Sequence, residues 1–290
     1  MPETEPRRSP TLRRRRLSAE LRKLRAAAGK TAVEVDRELG WTPGKLAKME
    51  RGIWQRPNPR DIRDLLDLYG VEDEAYREDL LKLARQGRER GWWHPYREML
   101  SDSYTTYIGL EAEAASVLTF QIGMIPGLLQ TADYARAIMR DGPAELSPKE
   151  VDARAEIRAS RQLLLTRDDD PLRLVVVLDE AVLHRPIGGQ AVMRAQLDQL
   201  AELAELPRVT VQIVPFRIGA HPGLGGPFTI LEFREPRDPD AVYNENNAGE
   251  LLLEEPEDVA PFKLALQRLQ VVALNPADSL TMIAQRRAKT

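Results

Sequence analysis

Lys45 and Lys48 stand three residues apart in the segment Leu39-Gly40-Trp41-Thr42-Pro43-Gly44-Lys45-Leu46-Ala47-Lys48-Met49-Glu50-Arg51-Gly52. On a helix that spacing puts two ammonium groups on one face. Such a pair suits the O6 and N7 acceptors of guanine in a DNA major groove. Other chemistry is thinly represented. The absence of cysteine excludes disulfides, thiolate metal sites and cysteine nucleophiles. His94, His184 and His221 are far apart and lack the i, i+4 spacing of a helical zinc site. Neither a nucleophile elbow nor a phosphate loop ending in Gly-Lys-Ser/Thr is present. No metal site, catalytic residue or cofactor is therefore expected.

A short helical rod must position the two lysines. Leu17, Leu21 and Leu24 recur at helical spacing, so residues 16–28 read as an amphipathic helix, with Ser18 and Glu20 in its first turn. Thr31 and Glu34 form a capping-box pair that opens a second helix, which carries Val35 and Leu39 inward and stops at Gly40. Thr42 is expected to cap a third helix with Pro43 at its first position. Leu46 and Met49 then face inward, which leaves Pro43, Gly44, Lys45, Lys48 and Arg51 outside. Two more helices follow, Asp61 to Tyr69 and Glu74 to Arg85. The link Gly40-Trp41-Thr42 forces a sharp turn between the second and third rods, the geometry of a helix-turn-helix.

Charge is distributed unevenly along the 290 residues. Residues 1–60 hold 16 Lys/Arg and 7 Asp/Glu, and the remaining 230 hold 26 and 38. A basic front end on an acidic body suits contact with a polyanion at residues 1–60, the alternative being a solvated basic tail. Arg13–Arg16, with Arg7 and Arg8, read as a flexible arm or as a solubilising start to the first helix. No apolar run approaches the ~20 residues that span a bilayer, and the charged N-terminus lacks the apolar core of a secretory signal. A cytoplasmic protein that does not bind membranes is expected.

Residues 16–86 resemble the lambda-repressor-like helix-turn-helix domains of the xenobiotic-response-element class, through the turn glycine, the capped third helix and its terminal Glu-x-Gly. The resemblance implies that Pro43, Gly44, Lys45 and Lys48 face base edges. Pro43 and Gly44 offer no side-chain donor, so direct readout falls to the two lysines, while Thr42, Arg51 and Arg56 contact phosphates. Ala32 stands where that family often has a DNA-bracing glutamine. Asp36 stands where a small residue usually lets the helices touch, and a carboxylate buried there needs a partner.

In residues 87–103, Gly87, Gly91 and Pro95 break helices and Trp92, Trp93 and Tyr96 cluster, which reads as a packed joint rather than a base-stacking platform. The body then alternates. Helical spacing covers 108–118, 131–140 (capped by Thr131), 149–165, 190–205, 257–272 and 279–287. Strands are expected at Thr119 to Ile125, Leu172 to Leu178, Val209 to Val214, Phe228 to Phe233 and Ala241 to Tyr243. The fold class is α+β overall: a five-helix lambda-repressor-like bundle followed by a mixed α/β sandwich with a partly antiparallel sheet. The organisation is a disordered basic tail (1–11), a helix-turn-helix domain (12–86), an aromatic linker (87–103) and an α/β regulatory or interaction domain (104–287).

Within the body, Asp179-Glu180 follow a buried strand, and His221 and Tyr243-Asn244-Glu245 also sit past strand ends. Glu180, His221, Tyr243 and Glu245 are candidates to line a small-effector pocket. The alternative is that Glu180 opens a helix, where an anion suits the dipole, and that His221 and Tyr243 are hydrogen-bonded turn and edge residues. Gly223-Leu224-Gly225-Gly226 reads as a hairpin or lid, because a proline and a strand follow it where a dinucleotide site needs a helix. Residues 232–258 hold ten acids against Arg234 and Arg237, a solvated face or a seat for a basic partner.

Gly91-Trp92-Trp93, Tyr107-Ile108-Gly109-Leu110-Glu111, Pro126-Gly127-Leu128-Leu129-Gln130-Thr131, Tyr134-Ala135-Arg136-Ala137, Arg161-Gln162, Asp179-Glu180-Ala181-Val182-Leu183, Gly188-Gly189, Gln196-Leu197 and Gly219-Ala220-His221 resemble actinobacterial regulators with a C-terminal domain of unknown function. That resemblance implies an antitoxin-like regulator with a small companion protein encoded nearby. The sequence reading is thus a non-enzymatic regulator of double-stranded DNA, working as a homodimer. A small-molecule sensor and a DNA-targeted hydrolase or nuclease are its rivals, the latter without an acid–base or metal constellation to support it.

Overall fold

The computed structural model describes residues 9–54, 56–142, 145–168, 170–236, 238–246 and 248–290. The chain divides into two compact units, residues 1–95 and 96–290, a boundary inside the aromatic segment.

Among its described residues the first unit has five α-helices: α1 (Pro10–Ala27), α2 (Ala32–Glu38), α3 (Lys45–Glu50), α4 (Pro59–Leu68) and α5 (Glu74–Gln86). Helix α1 starts earlier than leucine spacing suggested, because Ser9 caps it and Pro10 occupies its first turn. Pro10 and Thr11, assigned to the tail, are helical, and so are Arg13–Arg16. Arg14 donates to the Gly87 carbonyl (3.0 Å), so this run is structural rather than an arm. Arg7 and Arg8 lie outside the described residues. Leu17, Leu21, Val35, Leu46, Met49, Ile62, Leu65, Leu66 and Leu80 form the core. The Thr31–Glu34 capping box is formed. Gly40 and Gly52 take left-handed conformations (φ 65° and 71°) that end α2 and α3 without the cost a side chain would add.

The second unit begins with α6 (Asp102–Glu113), which Ser101 caps, several residues ahead of the expected helix. Then follow β1 (Ser116–Gln121), α7 (Ala132–Arg140), α8 (Pro148–Gln162), β2 (Arg173–Asp179), α9 (Ala181–His184), α10 (Gln190–Ala204), β3 (Val209–Val214), β4 (Phe228–Glu232), β5 (Ala241–Asn246), β6 (Gly249–Leu253), α11 (Pro256–Val272) and α12 (Pro276–Ala288). The six strands form one sheet in the order β3-β2-β1-β4-β5-β6. β1 pairs in parallel with β2 and β2 with β3, whereas β4, β5 and β6 add as antiparallel neighbours. Strand β6 was hidden in the acid-rich stretch.

Alternation along the strands divides the residues between two faces. Phe120, Val177, Val214, Phe228, Ile230 and Val242 pack against Val259, Leu266 and Leu269 of α11. The opposite face carries Val117, Thr119, Leu174 and Thr229, next to Tyr107 of α6 and Arg161 of α8. The Gly223 segment is a single 3-10 turn (Pro222–Gly225) rather than a hairpin or lid. A methyl group at Gly223 would overlap the Phe120 ring. Gly223→Ala is therefore expected to destabilise this unit by about 1–3 kcal/mol through overpacking, read as a lower denaturation midpoint by far-UV circular dichroism. An unchanged midpoint would show that the turn is free to shift.

Candidate nucleic-acid interface and the polar cluster of the body

Helix α3 has only six residues and would be marginal alone. Its neighbours hold it. Asp36 on α2, 4 % exposed, accepts from the Gly44 amide (2.7 Å, Oδ2) and the Leu46 amide (3.0 Å, Oδ1). The carboxylate thus caps α3 from an adjacent helix and satisfies orphan amides of its first turn. Thr42, expected to supply that cap, does not. Gly44 is the N-cap residue (φ 85°) and no side chain of its own segment bonds there. Pro43 lies in the preceding turn instead of at the first helical position.

The far end of α3 is held as firmly. Ser18 donates to the Met49 carbonyl (2.6 Å) and accepts from Trp54 Nε1 (2.9 Å). Arg25 grips Glu50 through both carboxylate oxygens (2.7 and 3.0 Å). The hydrogen bonds that Arg25 donates to Glu50 raise its pKa. Bidentate geometry on a shielded carboxylate makes this pair stronger than an ordinary surface bridge.

Thr42, Pro43, Lys48, Arg51 and Arg56 remain exposed. Gly44 and Lys45 are half-buried. The Lys45 ammonium is engaged, 2.8 Å from Asp61 Oδ2 and 3.8 Å from the centre of the Trp41 ring. Lys45 and Lys48 share a helix, but only Lys48 extends without an ion-pair partner among the described residues.

In the body the four effector-pocket candidates do not converge. His221 lies on the α11 face, edge-on to Phe120. Its Nδ1 accepts from the Gly223 amide (3.2 Å), and its Nε2 is 3.3 Å from Asp179 Oδ2. Glu180 accepts from the Phe216 amide (2.8 Å) and sits 3.3 Å from His184 Nε2. Tyr243 lies on the opposite face, stacked on Tyr107 with ring centres 4.3 Å apart. A single pocket lined by Glu180, His221, Tyr243 and Glu245 is not formed, because the sheet stands between them.

Tyr243 belongs instead to a buried polar cluster that motif reading missed. Arg161 forms two bonds to Glu111 (2.6 and 2.7 Å) and donates to the hydroxyls of Tyr104 (2.8 Å) and Tyr107 (3.3 Å). Tyr107 in turn donates to Glu111 (2.7 Å). Burial alone would lower the Arg161 pKa, but Glu111 and the tyrosines outweigh it and hold it well above its ordinary value. Burial pushes Tyr107 well up, with Glu111 adding to the shift. Glu245 is pushed up by desolvation and by Glu250, although the residue keeps an exposed flank. The Tyr243 hydroxyl is buried near Glu245 and Glu250, and burial pushes its pKa well up. Beside the cluster, Tyr107, Thr119, Gly127, Arg161 and Thr229 line a small cleft with room for about one water molecule.

Several dispersed sequence motifs meet on the loop between β1 and α7. Gln196 donates to the Leu129 carbonyl and accepts from the Thr131 amide (both 2.7 Å), and Gln199 donates to the Gln130 carbonyl (3.0 Å). Gln162 donates to that same carbonyl. A methyl group at Gly127 would stand 3.2 Å from Arg161 Nη1. The ordered polar residues of the body thus pin one loop over one buried ion pair. Among the described residues no group of three or more acidic or histidine side chains could hold a metal ion. None of their helices is long and apolar enough to cross a membrane.

Residues 104–285 match the family described as a domain of unknown function, DUF5753. The chain belongs to that family. Residues 16–80 match a helix-turn-helix domain, so this DUF5753 protein carries a DNA-binding module in front of the family domain. The match supports a DNA-binding regulator. A curated relative, a deoxyribose-phosphate aldolase from Thermococcus kodakarensis, is 30 % identical over 93 residues, 31 % of this DUF5753 chain and 41 % of the aldolase. The chain thus spans less than half the length of that relative. No solved structure matches.

Proposed function

We propose that the chain is a sequence-specific transcriptional regulator that sets α3 in the major groove of double-stranded DNA. The observation that carries the reading is the asymmetry of α3. Asp36, Ser18 and the Arg25–Glu50 pair clamp its inner side, whereas Lys48 and Arg51 project from the outer one, with Arg56 close by in sequence. Lys48 is placed to read a guanine edge, and Thr42, Arg51 and Arg56 to position the domain on phosphates. A two-fold homodimer would present two such helices to half-sites about one helical turn apart. The body then serves as the oligomerisation and signal-receiving part, and binds its ligand without transforming it. An antitoxin-like role in the cytoplasm, with a small companion protein, follows from the family resemblance.

Selection of binding sites from random-sequence duplexes, followed by fluorescence anisotropy on the enriched sequence, tests this. Lys48→Ala is expected to weaken specific binding by about 1–3 kcal/mol and to relax preference at one base pair. Arg51→Ala should weaken all sequences alike and reduce the salt slope by about one. Variants that bind the enriched sequence as the parent does would refute the assignment.

A second reading, a small-molecule sensor, is favoured by the buried Tyr243 stacked on Tyr107 and by the cleft that Tyr107 and Arg161 line. Stabilisation of the body by a metabolite, lost in Tyr243→Phe, would support it.

A further inference from the structure

We propose that Asp61 is a specificity-determining residue: it sequesters Lys45 and so suppresses sequence-independent DNA binding, leaving discrimination to Lys48. The inference rests on the major-groove reading of α3 and deepens it. Asp61 lies in the first turn of α4, where a carboxylate suits the positive end of the helix. Its Oδ2 is 2.8 Å from the Lys45 ammonium, with 32 % of the lysine side chain and 19 % of the aspartate exposed. The Trp41 ring lies under the same ammonium at 3.8 Å. Lys45 is thus held on two sides, and partial shielding makes the attraction stronger than between fully exposed groups.

A duplex approaching α3 meets a neutral pair where the sequence alone promised a cation. For Lys45 to reach a phosphate or a guanine, it must leave Asp61 and abandon a carboxylate beside a polyanion. That penalty is the same for every base sequence, so it falls hardest on binding that depends on charge alone. Lys48, three residues further on, carries no such restraint among the described residues, and its contribution survives. The pair therefore trades affinity for selectivity, with Asp61 acting as a built-in competitor for DNA phosphate.

Full-length protein titrated with a 20-base-pair duplex of random sequence, from low to moderate salt, provides the test. Asp61→Asn is expected to raise affinity for that duplex several-fold and to steepen the log–log salt dependence by about 0.9, one more released counterion. Lys45→Ala in the parent should change little, whereas in the Asp61→Asn background it should abolish the gain. Asp64→Asn, on the same helix and with the same change of net charge, controls for bulk electrostatics. Circular dichroism melts confirm folding, and Asp61→Ser substitutes if the asparagine variant unfolds. The proposal is overturned if Asp64→Asn reproduces the gain, if the gain persists without Lys45, or if Lys45→Ala alone weakens binding as much as Lys48→Ala. Should Lys48→Ala leave binding to selected sequences unchanged, the major-groove reading itself fails. A loss with Lys48→Ala but no gain with Asp61→Asn refutes only the role of Asp61.

Discussion

Glu111→Ala is expected to destabilise residues 96–290 by about 3–5 kcal/mol, the usual cost of stripping one partner from a buried ion pair. Glu111 is fully buried, and its two oxygens receive both prongs of Arg161 as well as the Tyr107 hydroxyl. Without the carboxylate, the guanidinium is left in an apolar interior with only tyrosine hydroxyls, which cannot neutralise it. Arg161→Met should cost as much, for the reciprocal reason. The double variant Glu111→Leu/Arg161→Met should recover most of the loss, because removing both charges removes the desolvation cost together with the attraction. All four tryptophans, Trp41, Trp54, Trp92 and Trp93, precede residue 96. Tryptophan fluorescence therefore follows the front unit, and far-UV circular dichroism registers the body as a separate denaturant transition. If either single variant costs under ~1 kcal/mol, the pair is not the anchor of this face.

What could be read from the residues alone depended on how local the determining interaction is. The Thr31–Glu34 box and the Thr131 cap involve groups three residues apart, and both form. Residues 172–178 and 209–214 announce themselves by β-branched composition; the first overlaps β2 with a shift of one residue, and the second coincides with β3. The cap of α3 was misassigned because its donor-satisfying group comes from Asp36, eight residues before Gly44 and on another helix. Thr42 satisfies the local rule, but a carboxylate already placed by the core of the bundle serves better, since it reaches two amides at once. The buried carboxylate that seemed costly in the sequence is the solution.

Face assignment in the sheet failed for a related reason. Asp179 pairs with Val214 on the side of Phe120, whereas Tyr243 pairs with Thr229, which pairs with Thr119 on the other side. A shift of one residue in register would exchange the faces, and nothing within a single strand fixes the register between two of them. His221 and Tyr243 could thus be placed past strand ends but not on a common side. The Arg161–Glu111 pair was equally illegible. Arg154, Arg158 and Arg161 lie along one side of α8, which looks like a solvated face until the sheet covers it.

Asp36→Ala should reduce the stability of the front unit by about 2–4 kcal/mol, since the half-buried Gly44 amide and the buried Leu46 amide both lose their acceptor. The loss bears directly on DNA binding. A six-residue helix has too few internal bonds to hold itself, so without its cap the outer side of α3 is no longer presented in one orientation. Affinity for a selected duplex should therefore fall further than unfolding alone accounts for, at temperatures where tryptophan fluorescence still reports a folded unit. Asp36→Asn keeps one acceptor oxygen in place of two and should fall between parent and alanine variant in both measurements. Replacing Thr42, the residue that local rules favour as the cap, gives the contrast. Thr42→Val removes its hydroxyl, should leave stability within about 0.5 kcal/mol of the parent, and should weaken DNA binding only through a lost phosphate contact. If Thr42→Val destabilises α3 more than Asp36→Ala does, the cap is local after all, and the hold of α2 on α3 is incidental.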